Sequence, residues 1–399
     1  MWPNLRHLRC YLAVARLGSL SAAARAVHLS QPAATLAIAG LEAHFGTRLL
    51  LRRSNGISLT PAGQICRVRI ERAVSQLSDA FLELGRNAGE ERADFTRFVR
   101  SRQLDALSAV VEFGNFSVAA RAKRLSQSSV HRSARELEKE FGTALFEKTS
   151  FGVSPTREAE RLARRVRLAF HELSQANAEI ETLDRTGSGR TVVGALPLAR
   201  SHLLPAALLE FSQENPLHGV EIVEGTYQNL LAGLQSGDID VVIGALRDPP
   251  PVADVLQEHL FDDPLAVIAR AGHPLARSRR PTIHALRKFQ WIAPRRGSPL
   301  RAHFDALFST RGIEPPVTSL ECNSLGAARA FLLESDRLML LSAHQIHYEL
   351  RAGLLVTLPH PSGKVVRPIG LTLRRDWRPT GTQTRLLEVL RRVARSAAR

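Results

Sequence analysis

The chain has 399 residues, 44% hydrophobic and 23% charged, and its 54 Lys and Arg against 38 Asp and Glu give a formal charge of +16. That length calls for two to four folding units, and no run reaches the roughly 18–20 apolar residues that a bilayer-spanning helix needs. Three scattered cysteines (Cys10, Cys66, Cys322) lack Cys-x-x-Cys spacing, which excludes a disulfide framework or structural zinc as a reading and favours a reducing compartment. The opening "MWPNLRHLRCYLAVARLGS" has neither an uninterrupted apolar stretch nor a small-residue cleavage site, so no secretory signal is expected and a cytoplasmic location is. The positive charge invites a polyanion. Yet it is spread almost evenly, +9 over residues 1–189 and +7 beyond, as an arginine-rich composition would also give. Motifs have to locate the site.

The strongest motif is a repeat. Without gaps, Leu8 to Thr60 aligns with Leu104 to Thr156, and 22 of the 53 positions are identical. Each copy predicts three short helices. In copy one, "LRCYLAVARLG" has apolar residues at helical spacing and stops at Gly18. "SAAARAVHL" follows, with Ser21 (Ser117 in copy two) as the expected N-cap and a run of alanines that admits a close neighbour. The corner Leu29-Ser30-Gln31 then opens "QPAATLAIAGLEAHFG", which stops at Gly46. Two helices joined by a short corner make a helix-turn-helix, whose second helix enters the major groove. "TRLLLRRSNGISLT" follows as two β-runs around Asn55-Gly56, a hairpin or wing. Arg52 and Arg53 on that wing, and Lys148 on its counterpart, are placed for phosphates.

After each wing comes a long helix. Residues 62–86 carry Ile65, Val68, Ala73, Leu77, Phe81 and Leu84 near helical spacing; residues 157–184 carry Leu162, Val166, Ala169, Leu173, Ala176, Ile180 and Leu183. An apolar stripe of this kind suits a helix pair or packing on its own domain. Charged "GEERAD" (Gly89 to Asp94) spaces the copies, and "DRTGSGR" (Asp184 to Arg190) marks a linker.

Beyond the linker, strands and helices alternate: "TVVGAL", "LLPAALLEFSQEN", "GVEIVEG", "YQNLLAGLQSG" and "DIDVVIGAL". This pattern predicts a parallel α/β sheet. A second segment over about 270–365 has the same character, with "DDPLAVIAR" and "VVRPIGLTLR" as strands linking two lobes. Ligands of such sheets sit at helix N-termini beyond the strand ends. The candidates are Pro197 to Ser201, Thr226, Ser298, Arg301, Asn323 and Ser324, with an anion favoured by the free N–H groups and by Arg301.

The corner "LSQPA", the following "LE" and "FGT" and then "LTPAG" (Leu59 to Gly63) resemble the winged helix-turn-helix of LysR-type transcriptional regulators. Copy two keeps "LSQSS", "LEKEFGTALFEK" and "SPT" but has Arg157-Glu158-Ala159 in place of Pro-Ala-Gly, and family members usually carry one such unit. "LLAGLQSGDIDVVIG", "GHPLA", "RRGSPLRAHFDALF" and "LLESDRLMLLS" are similar to the family's effector-binding domain, which looks like a periplasmic solute-binding fold. The ending "GLTLRRDWRPTGTQTRLLEVL" is similar to a branch regulating sugar-binding-protein and aromatic-acid catabolic genes. The resemblance covers essentially the whole chain. It implies dimerisation through the long helices, double-stranded promoter or operator DNA and a small-molecule effector as partners, a homo-oligomer, and RNA polymerase as a further candidate partner.

The expected class is thus multidomain, α followed by α/β: winged helix-turn-helix at 1–61, linker helix and spacer at 62–94, a second winged unit at 95–157, a second linker helix at 158–188, and an effector-binding unit at 189–399. Its two lobes would be joined by crossovers near 263–270 and 365–373. The expected function is effector-responsive, sequence-specific control of transcription, the effector being a small organic acid or sugar-derived metabolite. A solute-binding protein or α/β enzyme with added helices is the rival; a nucleoid-type architectural protein would not need the α/β half. No catalytic residues, cofactor or membrane association are expected, for there is no phosphate loop, nucleophile elbow or acid/base pair. His344 and His347 stand three apart but lack a third ligand nearby, and Cys322 has no resolving cysteine in its half.

The copies differ on the groove-facing side. Ala34, Ile38 and Leu41, and Val130, Ala134 and Leu137, are the expected buried positions. Copy two then exposes Ser128, Ser129, His131, Arg132 and Arg135 beside the Ser126-Gln127 corner, all able to meet base edges or phosphates. Copy one, after Ser30-Gln31, exposes Pro32, Ala33, Thr35, Leu36, Ala39 and Gly40, of which Thr35 alone has a polar side chain. Copy two is therefore expected to be the principal base reader. Copy one would contact phosphates through Arg52 and Arg53 or pack on a partner through Leu36.

Overall fold

The computed structural model describes every residue except 1, 55, 85–94, 151, 184–188, 279, 311, 317–319, 398 and 399. Its contacts divide the chain into two units. One is residues 1–190 with 217–219 and 235–238, and the other is the remainder.

The first unit opens with α1 (Leu5–Leu17), α2 (Leu20–Ala26), α3 (Gln31–Phe45), β1 (Leu50–Arg53), β2 (Gly56–Leu59) and α4 (Pro61–Leu84). After a 3-10 turn at Phe95–Arg97, the order recurs as α5 (Ser101–Phe113), α6 (Phe116–Ala122), α7 (Gln127–Phe141), β3 (Phe146–Thr149), β4 (Gly152–Pro155) and α8 (Arg157–Leu183). Each of the six elements restarts 96 residues later. The stops read from sequence are where the helices end: α1, α3, α5 and α7 close on Gly18, Gly46, Gly114 and Gly142, whose φ of 61–67° is the left-handed conformation that glycine adopts without a Cβ penalty. The caps of α2 and α6 lie two residues earlier than expected. Ser19 Oγ accepts from Ala22 N and Asn115 Oδ1 from Ser117 N and Val118 N, while Ser21 only shares a hydrogen bond with Ser19. Asn55 and the 89–94 and 184–188 segments lie outside the described residues.

α4 packs against α8, and the buried side chains of both copies form one cluster running from Leu5 to Ile180. On α4 the buried face is Cys66, Arg69, Ile70, Ala73, Leu77, Ala80 and Phe81, so Val68 falls off it and a charged residue, Arg69, falls on it. On α8, Leu183 is exposed instead of buried. The helix pair thus joins the two copies of one chain.

At the start of α4, Tyr11 Oη donates to the Gly63 carbonyl at 2.5 Å. A Cβ at Gly63 would overlap the Leu49 carbonyl oxygen, which already accepts from Thr60 N at 3.0 Å. Copy two carries Ala159 there, fully buried, with its N–H on Thr156 Oγ1 at 3.2 Å, so its backbone has room that copy one lacks. Gly63→Ala is expected to destabilise the helical unit by about 1–3 kcal/mol, the usual cost of overpacking. A lowered urea midpoint would register it, and an unchanged midpoint would contradict the packing.

The rest of the chain, nearly all of it in the second unit, begins with β5 (Arg190–Ala195), α9 (Pro197–Ser201), α10 (Leu203–Glu214), β6 (Gly219–Glu224), α11 (Tyr227–Ser236), β7 (Val241–Ala245) and β8 (Val255–Arg270). Then come α12 (Ile283–Arg287), β9 (Ile292–Ala293), α13 (Pro299–Ser309), β10 (Leu320–Glu321), α14 (Leu325–Leu333) and β11 (Met339–Ser342). The chain ends with α15 (His347–Arg351), β12 (Leu355–Leu358), β13 (Val366–Arg374) and α16 (Gly381–Ala397). The main sheet runs β11-β8-β13-β7-β5-β6, with β12 also on β8. The expectation of a parallel sheet holds for β5 with β7 and for β9 with β10. It fails for β13, which is antiparallel to β7 and β8, and for β11 and β12, antiparallel to β8. The reason is β8, 16 residues long, beside which β13 returns in the opposite sense. β8 also serves two cores: Phe261 packs with Phe211, Ile243 and Leu390, whereas Val267 packs with Trp291, Phe304 and Phe308.

Candidate nucleic-acid interface and effector site

In both copies the corner turns on a non-glycine residue in the left-handed region, His28 (φ 55°) and Arg124 (φ 54°). The next N–H, of Leu29 or Leu125, returns to the Ala24 or Ala120 carbonyl at 2.9 Å. Ser30 Oγ then accepts from Ala33 N and Ser126 Oγ from Ser129 N, starting α3 and α7. At the far end, Glu42 Oε1 accepts from Leu49 N (2.9 Å) and Leu50 N (3.3 Å), and Glu138 Oε1 from Leu145 N (2.9 Å) and Phe146 N (3.1 Å). One carboxylate per copy therefore fixes α3 or α7 to the hairpin that follows it. Sequence reasoning quoted these glutamates within "LE" but gave them no role, although their identity in both copies was the available signal.

The buried faces are those read from sequence: Ala34, Ile38 and Leu41 in α3, and Val130, Ala134 and Leu137 in α7. Outward from α7 project Gln127, Ser128, Ser129, His131, Arg132 and Arg135, with Lys139 a turn further on. His131 rests near the Phe116 ring, centroids 5.1 Å apart. Arg135 is exposed but not idle, since its guanidinium is 2.6 Å from Glu138 Oε2. That bond takes Nη1 of Arg135 and ties the side chain to its own helix, which leaves Arg132 as the freer of the two arginines. α3 presents Gln31, Pro32, Thr35, Leu36 and Ala39 instead, and Leu36 is 72% exposed. Thr35 Oγ1 donates to the Gln31 carbonyl, which occupies its hydroxyl proton. Gly40 lies against His7, whose ring atoms would be 3.2–3.3 Å from an added Cβ, and the same position in copy two is Glu136, accepting from Gln103 Nε2. Burial holds the His44 imidazole below its ordinary pKa. At pH 7, α3 consequently offers no cation.

On the wings, Arg52, Arg53 and Lys148 are all exposed, on antiparallel strand pairs. Ile57 N donates to the Gly18 carbonyl at 2.9 Å, so the first wing is pinned to the end of α1.

Apart from Ser201, the last residue of α9, the effector candidates fall into two pairs of helix starts. Pro197 and Ser201 form α9 after β5, and Thr226 caps α11 after the adjacent β6, accepting from Asn229 N at 3.2 Å. Arg200 and Glu224 make an ion pair between these two segments. Ser298 caps α13 after β9, and Ser324, next to exposed Asn323, caps α14 after β10, its parallel neighbour. Arg301 departs from expectation. Its guanidinium is taken by Asp305 (2.9 Å) and Glu321 (3.0 Å), so it is not a free cation.

Sequence reasoning missed a buried charge cluster where β8, β11 and β13 meet. Asp263, fully buried, accepts from Ser342 Oγ and, at 2.7 Å, from Arg367. His344 Nε2 lies 4.0 Å from the same carboxylate, and burial lowers its pKa despite that pull. His347 instead stacks on His202, centroids 3.9 Å apart, so the two histidines three residues apart serve different contacts. Among the described residues no group of three or more His, Cys, Asp or Glu is arranged to hold a metal ion, and no helix is long and apolar enough to cross a membrane.

Comparison with known proteins agrees with this layout. The family model for the bacterial regulatory helix-turn-helix protein, lysR family, matches residues 5–64 and again 101–160; the LysR substrate binding domain matches 184–395. The chain is 34% identical over 391 residues to the HTH-type transcriptional regulator GalR of Pseudomonas putida, covering 98% of this chain and 97% of that one. It is 28% identical to PcaQ of Agrobacterium fabrum over 74% of this chain and 95% of that one. In fold it is similar to a full-length OxyR variant from Pseudomonas aeruginosa (TM-score 0.54, 24% identity, 74% of this chain and 94% of that one). It is likewise similar to CbnR (TM-score 0.51, 20% identity, 73% and 98%). The chain belongs to the LysR family of DNA-binding transcriptional regulators, in which a helix-turn-helix region is joined to an α/β domain that senses a small molecule.

Proposed function

We propose that this regulator engages its promoter through a tandem pair of winged helix-turn-helix units, with α7 the principal base reader, and responds to a small organic acid or sugar-derived metabolite held by a two-lobed α/β domain. The observation that carries the reading is the contrast between equivalent helix faces. At the position where α7 projects Arg132, α3 projects Leu36. An arginine can grip guanine O6 and N7 with two hydrogen bonds, whereas a leucine offers only contact with thymine methyls. Ser126, Gln127, Ser128, Ser129 and His131 surround Arg132, and Lys148 meets the backbone from the wing. Copy one contributes Ser30, Gln31, Pro32 and Thr35 at the groove and Arg52 and Arg53 at phosphates, which add affinity without sequence information. The effector would lie at the helix starts carrying Pro197, Thr226, Ser298, Asn323 and Ser324, with Ser201 at the end of α9. Arg301 acts there by holding Glu321 and Asp305 in place, which corrects its expected part as the anion's partner. Ligand binding shifts the population between conformations that place the DNA-binding units differently.

Footprinting and gel-shift titration at fixed salt test the reader assignment. Arg132→Ala is expected to weaken operator binding by about 1–3 kcal/mol, roughly 5–150-fold, and to relax preference at one base pair. Leu36→Ala should change affinity less than about threefold. If Leu36→Ala abolishes sequence preference while Arg132→Ala leaves it intact, the roles of the two copies are reversed.

A further inference from the structure

We infer that one chain carries a complete DNA-binding head, in which the two copies are paired about an internal pseudo-twofold axis, so that a single chain reads an inverted pair of chemically unlike half-sites. The inference rests on the reading of α3 and α7 as recognition helices and adds how they are coupled.

The symmetry follows from the side-chain pairs across the α4–α8 contact. Arg69 Nη1 meets Glu172 Oε2 at 2.7 Å, and Arg165 Nη1 meets Gln76 Oε1 at 2.6 Å. Adding the repeat offset of 96 turns 69 into 165 and 76 into 172, so each pair is the other with the copies exchanged. Such exchange in an antiparallel helix pair is what a twofold axis does. Since each copy fixes its recognition helix to its own wing and long helix by the same bonds, the axis relates α3 to α7 as well. Half-sites read by helices so related are inverted.

The pairing is also specific to unlike partners. Arg69 is 1% exposed and reaches two carboxylates of α8, Glu172 and Glu179 (2.6 Å), while Glu172 also binds Arg72 (2.8 Å). A second α4 in the same place would present Gln76 where α8 has Glu172, facing a buried guanidinium with a neutral amide. Further cross-copy contacts join residues whose repeat equivalents differ. Trp2 stacks on Phe170 (4.2 Å), where the equivalents are Phe98 and Val74, and Phe81 stacks on Phe141 (4.8 Å), where they are Asn177 and Phe45. The single core from Leu5 to Ile180 closes the pair. Because both helices belong to one chain, their association is intramolecular and does not depend on protein concentration.

Ala73 and its counterpart Ala169 sit at the centre of the exchange, between 69 and 76 and between 165 and 172, and both are buried. In the full chain, Ala73→Cys with Ala169→Cys is expected to form an oxidised product that runs at monomer mass on a non-reducing gel and has lost two titratable thiols. Ala73→Cys alone should yield no covalent dimer. A covalent dimer from either variant, or no disulfide from the double variant, overturns the intrachain pairing. A second measurement uses the unaltered chain: selection from a randomised duplex pool should return two unlike halves in inverted orientation. A perfect palindrome of the half read by α3 should bind at least 10-fold more weakly, since it denies α7 its own half. Halves returned in direct orientation, or equal or tighter binding of that palindrome, overturn the inference even where the cysteine variants do not fold. Failure to select any sequence counts instead against the DNA-reading function, while the cysteine result still decides the pairing.

Discussion

Arg69→Ala is expected to lower the stability of the helical unit by about 3–5 kcal/mol, the usual consequence of removing one partner from a buried ion pair. The guanidinium is 1% exposed and bound by Glu172 and Glu179. Burial disfavours its charge, but the hydrogen bonds it donates to Glu179 and Glu172 more than offset this and raise its pKa. Without it, Glu172 keeps Arg72, whereas Glu179, 21% exposed, loses the guanidinium it binds. The cost comes from the stranded carboxylate and the void, so removing the charge on both sides should restore most of the loss. Arg69→Met with Glu179→Gln is expected to lie within about 1–2 kcal/mol of the unaltered chain. Urea denaturation followed by helical circular dichroism reads both. A single variant as stable as the parent would show that the cluster contributes nothing.

Asp263→Ala is expected to cost the α/β unit a similar amount, about 3–5 kcal/mol. Asp263 is 0% exposed, Ser342 donates to one oxygen and Arg367, 12% exposed, donates to the other. Arg367 Nε has no partner among the described residues, so loss of the carboxylate leaves a nearly buried cation with little to hold it. Asp263→Ala with Arg367→Met should recover much of the stability, since an apolar pair of similar volume does not have to be desolvated as ions. The buried Trp291 in the neighbouring core gives a fluorescence signal for this unit. If the single and double variants unfold at the same midpoint, the pair is not coupled.

Much of the helical unit was legible in the chain. The 96-residue repeat, the four glycine stops, the serine caps of α3 and α7 and the buried triplets Ala34-Ile38-Leu41 and Val130-Ala134-Leu137 all stand where local rules place them. Local rules work there because caps and helical periodicity depend on residues within a few positions of one another. The expectation of caps at Ser21 and Ser117 fails for a related reason. Two residues within reach could each cap the helix, and only the path of the chain out of Gly18 or Gly114 chose Ser19 and Asn115.

What stayed hidden was set by partners far along the chain. Arg69 stands on the apolar stripe, four residues after Ile65 and four before Ala73, yet its partners Glu172 and Glu179 on α8 lie more than 100 positions away. Arg301 reads as a free cation until the parallel register of β9 and β10 brings Glu321 beside it. Arg135 reads as an unpaired side chain until Glu138, itself holding the wing, is seen to accept from its Nη1. The mixed sheet has the same origin, for alternating strands and helices specify crossovers and not the return of β13 along β8. By itself the sequence determined the duplicated module, the helices α3 and α7 and their unlike faces, because those depend on short-range periodicity and side-chain chemistry. The tertiary structure alone decided that the two long helices pair with each other inside one chain, because which apolar and charged faces meet is settled by long-range packing that no local pattern encodes.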